Sequence, residues 1–420
     1  MSITYAELRD GVAGHVAGIR VRNVLQPLGG PGDKVFPPTY GVPDSALTKY
    51  AMEKRVAPGD DGAAKPSVVL DSVASQANRF ELALLSAIRR GAVQVPATSA
   101  DFRAVAGLEG MDRISDYEAP HRIFDALLRD SYDGEHLFRH GPAGLAITEA
   151  RPGNAAAVYH HSPHTLVFGG WDSTGPRGGL GSKYERAITS EVVAFDIEPG
   201  LKTSSRIDPA AIQMRAGKLY QSEDGTWTLN EAEAARDSKG NARLLGKAGE
   251  AGRPSQANHG NVRPSIDATA GGVTAREIIG TTVLSLIQLR RLRFPTRADG
   301  MAVEGARRDE AELAARTALA ALGLAAAVLA FDEGFDLRSR CVLVTSEPGT
   351  FEAVGRNGSV SRFDLSAAEV LKLVAEASDA AAEAGMAWRP GELLLRPSDR
   401  LAELIRRSQA LVASGDAGEI

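Results

Sequence analysis

The first clear pattern along the chain is an alternation of apolar and polar positions over residues 19–25. Alternation with a period of two is typical of a half-buried strand, whose exposed face here carries Arg20 and Arg22. A connection rich in proline and glycine follows over residues 27–43 and predicts irregular structure. Residues 67–70 then form a short apolar run, which predicts a second, buried strand.

The pattern changes to a helical period after residue 70. Apolar residues from Val73 to Ile88 fall on one face, Asp71 or Ser72 can cap the helix, and Gly91 can end it. The helix also carries polar side chains able to hydrogen-bond a phosphate or a ribose, namely Gln76, Asn78 and Arg79. The alternative is that these groups only solvate the helix or tie it down.

Later segments continue the mixture of helix and strand. Residues 199–267 are polar, rich in turns and weakly periodic, which indicates a protruding arm with a hairpin at residues 218–228. The regular segments are a strand at 192–197, an amphipathic helix at 309–331, a strand at 340–345 and a helix at 367–385. Helices alternating with separated strands predict an α+β fold.

The stretch from Leu166 to Glu198 is the strongest candidate for function. Residues 166–168 are apolar and end in two glycines, which predicts a buried strand followed by Trp171. A loop rich in glycine then carries the cations Arg177, Lys183 and Arg186. Glycines let a backbone approach a ligand closely and cations attract negative charge, so the loop suits a phosphate-bearing polymer. The alternative is a surface loop that needs turns.

Two nucleotide-binding fingerprints fail in this loop. Ser182 separates Gly181 from Lys183, which departs from the P-loop pattern, and Tyr184 stands where a dinucleotide fingerprint needs glycine. His160, His161 and His164 precede the loop, but Pro163 interrupts the helical spacing that would pair two of them as metal ligands. We therefore expect polar histidines rather than a metal site, and no cofactor.

Composition and charge fit a globular protein with a local basic site. The 420 residues are 43% hydrophobic and 24% charged, with a formal net charge of −5. From Asp309 onward 18 acidic residues outnumber 11 basic ones, so we expect any polyanion site in the first three-quarters of the chain. The single cysteine, Cys341, predicts a buried, inert thiol.

Targeting and charge clusters add little to this description. We expect a cytoplasmic protein, because no secretory signal is evident and the longest apolar run, residues 318–331, is shorter than the ~20 residues of a membrane span.

Residues 281–292 are expected to direct Val283, Leu284, Ile287 and Leu292 towards a core. The cluster of Arg290, Arg291, Arg293 and Arg297 fits either a solvated helix end or a polyanion contact.

Several segments together resemble one protein family. They are residues 71–81, with the letters DSVASQANRFE; 119–131, from APHRIFDA to RDS; 168–191, from FGGWDS to RAITSE; 258–261, NHGN; and 271–295, from GGVT to LRRLRFP. In this order they resemble the RAMP-superfamily backbone subunit of the type I-U, or type I-G, CRISPR surveillance complex, Cascade. The resemblance covers roughly residues 15–300.

The resemblance implies a palm of the RNA-recognition-motif (RRM) or ferredoxin-like type, with an antiparallel sheet and helices. A helical finger-like insertion and an extended thumb-like arm would extend from it. The implied boundaries are palm at 1–91, finger at 92–165, palm strand and glycine-rich loop at 166–198, thumb at 199–264, and palm again at 265–420. The chain lacks the aromatic signature with which many RRM modules stack bases, which fits contact through phosphates.

The implied function is non-catalytic binding of CRISPR guide RNA, by copies that oligomerise along the guide and present it to target DNA beside other Cascade subunits. The predicted RNA-binding residues are Arg20, Arg22, Gln76, Asn78, Arg79, Trp171, Ser173, Arg177, Lys183, Arg186, His259 and Asn261. Two alternatives stay open. One is a metal-dependent RNA endonuclease using Asp172 or the histidines at 160–164, and the other is a scaffold that binds no nucleic acid.

Overall fold

The architecture is taken from a computed structural model that describes residues 2–43, 45–60, 62–175, 181–246, 251–297, 299–347 and 349–413. The chain forms two compact units. Unit 1 comprises residues 1–38, 50–198 and 273–403, and unit 2 comprises residues 39–49, 199–272 and 404–420.

The chain is a mixture of helices and strands, as the sequence predicts. The described helices are α1 (Tyr5–Ala13), α2 (Val73–Arg89), α3 (Ala126–Arg129), α4 (Pro142–Glu149), α5 (Ala156–His161), α6 (Pro163–Phe168), α7 (Leu286–Leu289), α8 (Gly305–Glu333), α9 (Ala367–Glu383) and α10 (Asp399–Ala413). The described strands are β1 (Val16–Pro27), β2 (Met52–Arg55), β3 (Lys65–Asp71), β4 (Ala97–Asp101), β5 (Arg113–Ser115), β6 (Ser131–Asp133), β7 (His136–Leu137), β8 (Gly170–Trp171), β9 (Lys183–Tyr184), β10 (Ile188–Pro199), β11 (Lys202–Arg206), β12 (Tyr220–Gln221), β13 (Trp227–Thr228), β14 (Val262–Asp267), β15 (Val273–Ser285), β16 (Phe335–Arg338), β17 (Cys341–Glu347), β18 (Phe351–Gly355), β19 (Val360–Phe363) and β20 (Glu392–Pro397).

The main sheet of unit 1 has the strand order β16-β17-β1-β15-β10-β3-β2, and β18 also pairs with β1 and with β19. The β1–β15, β1–β17, β1–β18 and β3–β10 pairs are antiparallel. The predicted strands at residues 19–25, 67–70, 192–197 and 340–345 are confirmed as parts of β1, β3, β10 and β17. Palm, finger and thumb stay predictions.

One face of this sheet is covered by helices. The α2 side chain Gln76 accepts a hydrogen bond from Ser190 of β10, and Ser190 in turn accepts one from Thr282 of β15. The helix α8 packs against α1, α2, α6, α9 and β15. Because successive strand residues point to opposite faces, Thr281 and Val283 lie on the other face.

The two long predicted helices, α2 and α8, are both present, and α8 differs from its prediction in how much of it is buried. The predicted helix at residues 71–90 is confirmed as α2, and Ser72 caps it by accepting a hydrogen bond from the Ser75 backbone N–H at 3.3 Å. The helix expected at 309–331 is confirmed as α8, but it is buried along most of its length rather than amphipathic. By length and composition α8 could cross a membrane, yet 83% of its most apolar stretch is buried inside the fold, as in a core helix.

Two expectations about local structure are wrong. Residues 166–168 belong to the helix α6, not to a strand, because Pro163 opens a short helix whose side chains are all buried. Val283 and Ile287 are exposed, at 37% and 43%, while Leu284 and Leu292 are buried as expected. The reason is that β15 continues through residue 285, so Val283 points away from the helix-covered face.

A second sheet forms from distant parts of unit 1. Its order is β5-β4-β20-β6-β7, with β4 parallel to β20. Residues 92–165, expected as a helical insertion, therefore contribute short strands as well as α3, α4 and α5. The expected helix at 367–385 is confirmed as α9, and Cys341 is fully buried, with burial raising the pKa of its thiol to about 11.

Unit 2 is built on small antiparallel pairs. β11 pairs with β14, placing Lys202 opposite Asp267, and the exposed side chains of this ribbon occupy both faces. The predicted hairpin at residues 218–228 is confirmed as β12 and β13, and Gly225 adopts φ +82° in its turn. The predicted arm at 199–264 lies within this unit.

Candidate nucleic-acid interface

A groove of about 410 Å³ in unit 1 collects several of the predicted site residues. We call it the Trp171 groove. Its lining residues are Pro120, His121, Arg122, Phe168, Gly169, Gly170, Trp171, Lys183, Tyr184, Glu185, Arg186 and Gln288.

Two glycines shape the floor of the groove by letting the chain pack closely on itself. After α6 ends at Phe168, Gly169 adopts φ +86°, a conformation that favours glycine. A Cβ atom on Gly170 would lie 2.7 Å from Cγ2 of Thr165. Gly170 and Trp171 then pair with Tyr184 and Lys183. The close approach that these two glycines permit is therefore between parts of the protein itself.

Trp171 and Lys183 project together from this short ribbon. They are directly opposite in the register, so their side chains lie on the same face. The indole is 48% exposed, and the lysine is also exposed, with no ion pair to any residue that the structure describes. A flat aromatic surface beside a cation is an arrangement that single-stranded nucleic acids use for stacking and phosphate contact.

Arg122 forms the buried wall of the groove. Its guanidinium donates to both carboxylate oxygens of Glu81, at 2.6 and 2.7 Å, and to the carbonyl of Gly169 at 3.0 Å. Burial raises the pKa of Glu81, against the effect of Arg122. Arg122 itself adopts φ +52°, a sparsely populated conformation for a residue with a side chain, and these contacts hold it there.

Arg186 lacks such a counter-ion. It donates to the carbonyl oxygens of Phe168 and Val73 at 3.1 and 3.2 Å, and within the described part of the chain it makes no ion pair. Burial, and after it the charge of Arg122, lower the pKa of Arg186. Two guanidinium groups thus share the field of one carboxylate, Glu81, so an anion bound at Arg186 would be stabilised.

The remaining acid of the groove is already paired. Glu185 accepts from Arg291 at 2.7 Å, which neutralises it. Lys183 and Arg186 are therefore the uncompensated cations among the described groove residues. The surface favours an anion with more than one charge, as a chain of phosphates provides.

The predicted residues on α2 lie in different environments. Gln76 is buried, and its amide donates to Asp71 at 2.6 Å while accepting from Ser190. Arg79 bonds Asp71 at 2.9 Å and the carbonyl oxygens of Asp336 and Leu337. Asn78 is exposed. Two of these three side chains thus have partners inside the protein.

Arg20 and Arg22 lie on the open face of the main sheet, away from α2 and α8. The register places Arg20 opposite Val283 and Arg22 opposite Thr281. Arg20 donates to Glu352 at 2.7 Å, whereas Arg22 is exposed with no described partner. The sheet thus brings residues from β1 together with a carboxylate more than three hundred positions later in the sequence.

Residues 19–199 match the family described as CRISPR-associated protein GSU0053. The matched range is less than half of the chain, and it contains every lining residue of the Trp171 groove except Gln288. This part of the chain is therefore similar to a CRISPR-associated family. No curated protein matches the chain.

The other predicted RNA-binding residues are scattered. Ser173 is partly buried in the turn that follows Trp171, and Arg177 lies outside the described residues. In unit 2, His259 is exposed and meets the Trp227 ring edge-to-face at 5.8 Å. Asn261 is exposed and accepts from the backbone N–H of Asp208 at 2.6 Å.

Asp172, the candidate for nuclease chemistry, is enclosed in an ion pair. Its carboxylate is 2% exposed and accepts two hydrogen bonds from Arg139, each 2.8 Å long. A bidentate pair of this kind occupies both carboxylate oxygens. Both carboxylate oxygens of Asp172 are therefore engaged by Arg139.

The three histidines lie in different environments, since His160 and His161 are only partly buried. His164 is fully buried and stacks on Tyr117 at 3.7 Å, and burial lowers its pKa well below the ordinary value. Burial lowers the pKa of His161 to about 4, and His160 bonds the Ala387 carbonyl at 2.8 Å. Across the described ranges, no group of three or more His, Cys, Asp or Glu residues could hold a metal ion.

Sequence reasoning missed the residues that organise the groove. Glu81 and Arg122 both fall in segments quoted for the family resemblance, yet neither pattern shows that they meet across 41 positions of sequence. No sequence pattern singled out Arg139 as the partner of Asp172. The available signal was a glutamate on the buried face of α2, since an ionisable residue at a core position requires a partner.

Proposed function

We propose that this chain is a non-catalytic backbone subunit of a Cascade-type complex, of type I-U (I-G), that binds CRISPR guide RNA. Copies would assemble along the guide in the cytoplasm and present it for pairing with target DNA beside other Cascade subunits. The protein would hold the sugar-phosphate chain while base pairing reads the sequence.

The observation that carries the proposal is the charge balance of the Trp171 groove. Arg186 and Lys183 lack counter-ions among the described residues, and they lie beside a half-exposed indole. Phosphates would replace the missing counter-ions, and a base would stack on Trp171. The similarity to a CRISPR-associated family makes guide RNA the most economical ligand for this surface.

The proposal is tested by expressing the full chain with and without a CRISPR array. With the array, we expect a particle of several copies whose ultraviolet spectrum shows nucleic acid and whose RNA has a discrete length. The Lys183→Ala/Arg186→Gln variant should lose much of this RNA, whereas Arg307→Ala, an exposed arginine on α8, should retain it. A protein that stays free of RNA under both conditions would instead be a scaffold.

A further inference from the structure

The open face of the main sheet carries a second cluster of cations, distinct from the Trp171 groove. Arg20 and Arg22 lie there on β1, on the side opposite α2 and α8. The neighbouring pair β18–β19 adds two residues, because Glu352 lies opposite Arg20 and Arg362 lies opposite Glu352. We call these four residues the Glu352 patch.

Glu352 connects two of the arginines. Its Oε2 accepts from Arg20 at 2.7 Å and its Oε1 accepts from Arg362 at 3.1 Å. The Glu352 side chain is 19% exposed, while Arg362 remains 72% exposed. These two guanidiniums lower the pKa of Glu352, chiefly through the Arg20 hydrogen bond, so the carboxylate is ionised at neutral pH. Within these four residues one negative charge therefore faces three positive charges, and a further carboxylate, Glu347 on β17, lies opposite Val24, two positions from Arg22.

The geometry orients two of the three arginines, because Glu352 holds the partly buried Arg20 and the exposed Arg362. Arg20 sits in the sheet, one carboxylate orients both it and Arg362, and Arg22 follows two residues later on the same face. A guanidinium that is oriented in advance loses less freedom when it binds an anion. The patch thus combines net positive charge, exposure and fixed donors, which is the chemistry that recognises a phosphodiester chain.

We propose that the Glu352 patch is a second phosphate-binding surface for single-stranded RNA, with Arg362 as a contact residue and Glu352 as a positioning residue that also limits affinity. This inference rests on the proposed function, which it extends to residues outside the 19–199 match. The sheet continues towards the Trp171 groove, since the backbone N–H of Ser285 in β15 bonds the Ala187 carbonyl beside Arg186.

The test measures binding of a fluorescently labelled, unstructured RNA to the full chain over a range of salt concentrations. Arg362→Ala should weaken binding severalfold and reduce the slope of log K against log salt by about 0.7, the value for one phosphate contact on a single strand. Glu352→Gln removes a negative charge from the patch, so it should strengthen binding. A structural role alone would not produce opposite signs.

Controls make the outcomes separable. Arg307→Ala removes an exposed arginine on α8 and should change nothing, and thermal unfolding should show that every variant remains folded. If Lys183→Ala/Arg186→Gln weakens binding and Arg362→Ala does not, the patch is refuted and the proposed function stands. If neither variant changes binding, both the Glu352 patch and the proposed function are refuted. An effect of Arg362→Ala seen with single-stranded DNA but not with RNA would also overturn the assignment.

Discussion

At the residue scale, the chemistry of the groove depends on which charges already have partners. Glu81 neutralises Arg122 and Arg291 neutralises Glu185, whereas Arg186 has only carbonyl oxygens. Asp172 lies one residue from Trp171 but is committed to Arg139. Distance from the groove therefore does not identify a functional side chain. Whether the protein already supplies a partner for its charge does identify one.

Replacing Asp172 tests the difference between structure and catalysis. Asp172→Asn keeps the shape but leaves the mostly buried Arg139 without its counter-ion, so we expect a loss of roughly 3 kcal/mol in the free energy of unfolding. Incubation of complementary RNA with divalent metal should show no cleavage by either protein. Metal-dependent cleavage by the wild type that Asp172→Asn abolishes would establish the nuclease alternative.

Asp116 should give the protein a measurable pH dependence. It is fully buried, and burial raises the pKa of its carboxyl from 3.8 to about 7. The unfolded chain releases this proton near pH 4 and the folded chain near pH 7. The contribution of Asp116 to the free energy of unfolding therefore decreases as the pH rises through this window.

Asp116→Asn cannot ionise and should remove that decrease. Between pH 5 and pH 8, the unfolding free energy of Asp116→Asn relative to the wild type should rise by on the order of 3 kcal/mol. Urea denaturation at the two pH values measures it. His164 is present in both proteins, so its own titration largely cancels. A difference that does not vary with pH would show that Asp116 is ionised throughout.

At the element scale, long patterns were predictable from sequence and short ones were not. β1 has a period of two over several residues and α2 has a capped helical period, so both appear where expected. Residues 166–168 are too few to separate helix from strand, and Pro163 decided the outcome by opening α6. The direction of Val283 depended on where β15 ends, which no local pattern marks.

The turn between α6 and β8 offers a test of the close packing behind the groove. In Gly170→Ala the new methyl group would meet Cγ2 of Thr165 at 2.7 Å and the Phe124 ring at 3.2 Å. We expect a cost of about 1–3 kcal/mol in unfolding free energy, together with weaker RNA binding.

A second substitution serves as the matched control. Thr165→Ser removes the clashing methyl group and keeps the hydroxyl that pairs with Ser162 at 2.9 Å. Gly170→Ala/Thr165→Ser should therefore recover part of both losses. Full tolerance of Gly170→Ala, measured by thermal unfolding, would mean that the backbone has room to relax here.

At the scale of the whole molecule, function depends on contacts between distant segments. β4 pairs with β20 almost three hundred residues later, and β1 pairs with β17 and β18. The acidic C-terminal part was expected to lack a polyanion site, yet the fold places its Arg362 beside Arg20 through Glu352. The net charge of a sequence segment does not predict this contact, because strand pairing determines which charged residues become neighbours.

The candidate site was therefore only partly predictable. The sequence pattern and the family resemblance drew attention to Trp171, Lys183 and Arg186, which the fold brings into one groove. They did not reveal that Gln76 and Arg79 have partners inside the protein, nor that Glu81 and Arg122 meet. Each of these facts depends on tertiary contacts.

The most direct test of the central claim is the salt dependence of RNA binding by groove variants. If Lys183 and Arg186 neutralise phosphates, Lys183→Ala/Arg186→Gln should weaken binding and reduce the slope of log K against log salt by about 1.4. Trp171→Ala should weaken binding by about 1–3 kcal/mol at an unchanged slope, because stacking releases no counter-ions. Wild-type affinity and slope in both variants would contradict the claim that the Trp171 groove holds RNA.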